Sequence, residues 1–84
     1  MGLIALELIL QVEDAFGITF TDDEALRIAT IADFERAIRE KVASEDLTAE
    51  QVHAKLKEIL VRSFGIHEAD AVPSARIVRD LGLD

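Results

Sequence analysis

Apolar residues recur every third or fourth position through three stretches of this chain, and no stretch shows the every-second-residue alternation of a half-buried strand. Leu3, Leu6 and Leu10, with Ile9, Val12 and Phe16, predict a helix from Leu3 to Ala15. Glu7, Gln11 and Asp14 leave only a narrow polar stripe on it, so this helix is expected to pack on more than one side or to line an internal pocket. Gly17 ends it, and Ile18-Thr19-Phe20 forms a short extended link with Ile18 and Phe20 pointing inward. Thr30-Ile31-Ala32-Asp33 resembles a capping box with Asp in place of the usual Glu or Gln. Ile31, Phe34, Ile38 and Val42 then make one face of a helix to about Ala43. Thr48-Ala49-Glu50-Gln51 opens another, with Val52, Leu56, Ile59, Leu60 and Phe64 as its stripe and Gly65 as its stop.

Two segments are less regular. Asp22 to Arg27 has room for about two helical turns, capped by Thr21 or Asp22, with Ala25 and Ile28 turned inward. The stretch from Gly65 to Asp84 holds the only proline, Pro73, and lacks a helical period, so it reads as one long loop, a length that is often functional in compact domains. Ile66, Val72, Ile77, Val78 and Leu81 are expected to pin it to the core. The sum is a single all-α domain over residues 1–84, with three main helices and one short one. The closing "RDLGLD" has a bend at Gly82 and an N-cap residue, Asp84, with no helix after it.

Composition narrows the function. With 84 residues, the chain has one modest core. Its net charge of -8 argues against nucleic acid, which is held by clustered Lys and Arg, and favours basic protein partners. The charge is uneven: residues 1–26 carry six acidic groups and no basic one. No cysteine is present, which removes disulfides and thiolate zinc sites and points to the reducing cytoplasm. No apolar run nears the roughly 18 residues that span a bilayer, and the start lacks a signal peptide's basic flank, so no membrane association is expected.

Joined end to start, the segments acquire a pattern. "LTAEQVHAKLKEILVRSFGIHEADAVPSARIVRDLGLD" resembles the first half of an acyl carrier protein: an amphipathic helix, a long loop, then the D-L-G-x-D that precedes the attachment serine. "LIALELILQVEDAFGITFTDDEALRIATIADFERAI" resembles the second half, with the F-G-I-x-[IF] link, the short third helix and the fourth. The chain therefore looks like a circular permutant of that family. Residues 1–43 correspond to its C-terminal half, 47–84 to its N-terminal half, and 44–46 to a linker joining the native termini, which lie close in the family's bundle. Met1-Gly2 then reads as a start residue plus one more, and the rotation as engineered.

The resemblance implies a carrier, not an enzyme. The family's serine receives 4′-phosphopantetheine at a helix N-terminus, where free amides favour phosphate, and the arm carries acyl thioesters in fatty acid or polyketide synthesis. Asp80, Leu81, Gly82, Asp84 and Leu3 are what is left of the motif. The serine expected between Asp84 and Leu3 is absent, with Gly2 at or near its place, so this chain is expected to stay without the arm. Ser44, Ser63 and Ser74 lack the motif's context. Asp84 either caps the first helix across the break or keeps a part in recognition by the phosphopantetheinyl transferase. The resemblance also assigns Glu7, Glu13 and Asp14 to the face that meets basic patches on partner enzymes, and Val12, Phe20, Ala25, Ile28 and Phe34 to an acyl pocket; a solvated helix face and plain core packing are the alternatives.

Little else points to chemistry. His53 is placed on the exposed side of its helix and His67 in the loop, neither with metal-ligand neighbours. Asp22-Asp23-Glu24 lacks the alternation and glycine of a calcium loop. Other readings are a small acidic helical interaction domain that never held a prosthetic group, or a domain-swapped oligomer in place of the expected monomer.

Overall fold

The computed structural model describes residues 2–42 and 47–84. Among these the protein is all-α: α1 (Leu3–Phe16), α2 (Asp22–Leu26), α3 (Ile31–Lys41) and α4 (Ala49–Phe64), then a 3-10 turn over Glu68–Asp70 and a run of turns to Asp84. Helix ends follow the local chemistry. Gly17 and Gly65 adopt left-handed φ values of 67° each and close α1 and α4, the conformation that favours glycine at a helix end. Thr21, Thr30 and Thr48 each accept a hydrogen bond from the N–H three residues on, while the side chains of Glu24, Asp33 and Gln51 each accept one from the cap's own N–H. Thr21, not Asp22, is thus the cap of α2, and the Asp variant of the box works as well as the Gln one.

Some boundaries differ from the sequence-based expectation. Arg27 is the residue that ends α2, not its last helical residue. Val42 leaves α3 in an extended conformation, so that helix stops short of Ala43. Ala43 and the expected 44–46 linker lie outside the described residues.

The core is built from one stripe of each long helix: Leu8, Ile9 and Val12 from α1, Ile31, Phe34 and Ile38 from α3, and Val52, Leu56 and Leu60 from α4. α4 packs against both α3 and α1. Its Lys55 donates to the Ala15 carbonyl at 2.8 Å and lies over the Phe16 ring, so a cation meets the free carbonyls where α1 ends.

α1 packs on one side only. Leu3, Leu6 and Leu10 form an outer stripe, 84%, 45% and 54% exposed. Spacing alone did not separate this stripe from the buried one, because both repeat at three and four residues.

The segment after Gly65 is a strap with its own hydrogen-bonding pattern. Its carbonyls at Ala75 and Pro73 accept from the N–H groups of Ile31 and Ala32 at 3.0 and 2.9 Å, and Ile77 N–H donates to the Ala29 carbonyl at 2.9 Å. The strap therefore satisfies amides at the start of α3 that have no partner within the helix. Ile77 is buried and Ile66 and Leu81 partly so, as expected, but Val72 and Val78 are exposed. Ala71, Ala75 and Leu83 take the buried places. In a strap that lies flat on a helix end, small side chains let the backbone come near enough to bond.

Candidate functional site

Two features converge on the face made by α1, α2 and the strap: the end of the "RDLGLD" segment and an apolar cavity. The segment folds back on itself. Asp80 Oδ2 accepts from Arg76 N–H at 2.8 Å, Leu81 N–H donates to the Arg76 carbonyl, and Gly82, at a φ of 68°, turns the chain so that Leu83 is buried. Asp84 then reaches the first turn of α1, where its backbone carbonyl accepts from Ile4 N–H at 3.0 Å.

Asp84 thus does cap α1, but through its backbone. The N-cap position itself is held by Gly2, with φ -77° and ψ 172°, and no side chain bonds to the helix there. A Cβ on Gly2 would fall 2.3 Å from the carbonyl carbon and oxygen of Asp84, so the space that a side chain would need is filled by the other end of the motif. Leu3, the last remnant, points into solvent.

The cavity has a volume of about 160 Å³. Ala5, Leu8 and Ile9 of α1 form one wall and Ala25 and Leu26 of α2 another; Ile28 and Phe34 lie beneath, and Ile77 and Val78 of the strap close the side. Ala25, Ile28 and Phe34 are where the pocket was expected. Val12 and Phe20 are not: Val12 is fully buried in the core, and Phe20 packs edge-on against Phe34, with ring centroids 5.8 Å apart, behind the cavity. The strap's contribution was not legible, because its residues carry no period. Ala5 and Ala25 were the available signal, since a pair of small residues on facing helices leaves space. An apolar cavity of about 150 Å³ is large enough for benzene, so this one suits about six carbon atoms.

The acidic residues divide into free and engaged groups. Glu7 and Asp14 are exposed on α1. Glu13 is half-buried and accepts a hydrogen bond from Phe20 N–H at 2.7 Å, so it fixes the link after α1. Glu24 accepts from Thr21 N–H at 2.9 Å and pairs with Lys41 at 2.8 Å. The Lys41 hydrogen bond, then that of the Thr21 amide, hold its carboxyl down at about 2. The amides of Thr30 and Ala29 likewise hold the Asp33 carboxyl below its usual range.

His53 is a correction. It is half-buried, and its Nδ1 lies 2.8 Å from Oε1 of Glu35 on α3, the one charged residue that is buried among the described residues. The helical period placed it on an outer face, but that face of α4 meets α3. His67 is exposed, as expected. Ser63 and Ser74 are exposed too, and Ser44 lies outside the described residues. Among the described residues no three His, Asp or Glu side chains gather as a metal site, and no helix is long and apolar enough to cross a membrane.

Comparison with protein-family models, with curated proteins and with solved structures finds no match to this chain.

Proposed function

We propose that this is an acyl-carrier-type fold in rotated chain order, whose cavity takes an apolar chain of about six carbons and whose α1 face docks basic partners. The observation that carries this proposal is the convergence of the "DLGLD" remnant on the N-terminus of α1, beside an apolar cavity between α1 and α2. In the resembled family the modified serine sits at that helix start, and the arm it bears delivers an acyl chain to the neighbouring space. Gly2 offers no hydroxyl, so this chain is a carrier scaffold that cannot be loaded.

The test uses a phosphopantetheinyl transferase and coenzyme A with intact mass as the readout. A chain in which segment 47–84 is followed by serine and then by segment 3–42 is expected to gain one arm, and the present chain none. A folded rejoined chain that gains nothing refutes the carrier assignment; a gain by the present chain refutes its inactivity.

A second function, a helical interaction module, is favoured by one specific observation. The exposed stripe Leu3, Leu6 and Leu10 runs beside the free carboxylates Glu7 and Asp14 on the same helix. A partner of matching chemistry presents an apolar strip edged with Lys or Arg, bound by burial and steered by charge. Glu7→Lys with Asp14→Lys is expected to weaken such binding at low salt, and undiminished binding rules this face out.

A further inference from the structure

α2 is the least firmly held element that touches the cavity. It is five residues long and buries none of them fully, yet its Ala25 and Leu26 form a wall of the cavity. Leu26 is 70% exposed on its outer side. So short a helix has no stability of its own, and elements with few buried contacts open before the rest of a fold does.

Its flanks, by contrast, are pinned. On the entry side Phe20 is buried and its N–H donates to Glu13 Oε2. On the exit side the N–H groups of Ala29 and Thr30 donate to Asp33 Oδ2, and the Ala29 carbonyl accepts from Ile77 of the strap. Residues 21–28 are thus a short arc between two fixed points. Across that arc there is one ion pair to another element among the described residues: Glu24 Oε1 to Lys41 Nζ of α3, at 2.8 Å. Lys41 also stands 5.6 Å from the centroid of the Phe20 ring, so it ties the arc to its own anchor.

We propose that α2 is a lid on the cavity and that the Glu24–Lys41 pair is the latch that sets its closed position. Opening swings residues 21–28 outward, moves Ala25 and Leu26 off the cavity and leaves α1, α3 and α4 in place. The latch lies at the surface, with Lys41 and Glu24 side chains 25% and 38% exposed, so dissolved salt weakens it. The lid's use in admitting a chain rests on the function proposed above; the latch itself does not.

Amide hydrogen exchange tests the latch. In Glu24→Gln, and separately in Lys41→Met, which keeps the apolar stem, exchange at Ala25 and Ile28 is expected to rise about twofold to fivefold, as befits a surface pair, while Leu60 in α4 is unchanged. Raising salt to about 1 M is expected to speed exchange at Ala25 and Ile28 in the parent chain and not in Glu24→Gln. Unchanged exchange at Ala25 and Ile28 in both variants overturns the proposal, and so does an equal rise at Leu60. A titration with hexanol, read from the chemical shifts of Ala5 and Phe34, separates the two claims. Exchange that responds without hexanol binding leaves the latch standing and removes the cavity's proposed use; binding with unresponsive exchange does the reverse.

Discussion

The backbone carbonyl of Asp84 accepts a hydrogen bond from the N–H of Ile4 at 3.0 Å, so the far end of the sequence supplies the carbonyl that starts α1. In an unbroken helix this acceptor would come from four residues earlier along the same chain. Here Leu83 anchors it by burial, and Gly2 leaves the space that lets it approach.

Gly2→Ala therefore has a defined consequence. The added Cβ would meet the Asp84 backbone at 2.3 Å, so Asp84 and the start of α1 must move apart. Loss of the Asp84 bond to Ile4 is expected to cost about 0.5–1.5 kcal/mol in denaturant unfolding and to speed amide exchange at Ile4. A Gly2→Ala chain with unchanged exchange at Ile4 contradicts this account of the junction.

The two faces of α1 are expected to answer differently to truncation. Leu8→Ala, at 1% exposure, is expected to lose about 2–5 kcal/mol and to enlarge the cavity. Leu10→Ala, at 54% exposure, is expected to change stability by less than about 0.5 kcal/mol. Equal losses, made larger at higher protein concentration, would mean that the outer stripe is covered by a second copy of the chain.

His53 is the partner of a buried carboxylate. His53→Ala leaves Glu35 buried without its bond and is expected to cost about 1–3 kcal/mol. His53→Gln, which can still donate, is expected to recover part of that. Identical unfolding midpoints for His53→Ala and the parent protein would show that the contact contributes nothing.

Acid is expected to loosen α2 and the start of α3. Glu24 and Asp33 both have folded-state carboxyls below their ordinary values of 4.5 and 3.8, Glu24 at about 2. Between those values and the folded ones the unfolded chain binds more protons, so stability rises with pH; the contribution is complete above about 4.5 and is lost as pH falls toward 2. Thermal unfolding measured across this range should show a shallower pH dependence in Glu24→Gln than in the parent protein. Equal slopes would show that the Lys41 contact does not hold that carboxyl.

Most of the helical structure was legible because it is written locally. Thr30 with Asp33 and Thr48 with Gln51 place two helix starts to the residue, and Gly17 and Gly65 place two ends. Hydrogen bonds that span three or four residues depend on little else. The site was less legible. Glu13 looks like its neighbour Asp14 in sequence, and only the position of the Phe20 amide makes one a tether and leaves the other free.

What the sequence determined by itself is the all-α character, the four helices and the apolar stripes that make the core, since period and capping follow from covalent geometry and short-range bonding. What the tertiary structure alone decided is which face of α1 is buried, where the strap lies, that His53 meets Glu35, and that Asp84 meets Ile4. Each of these joins groups far apart in the chain. Their free energy comes from burial and from satisfying amides at helix starts, which depend on the packed arrangement and not on neighbours in sequence.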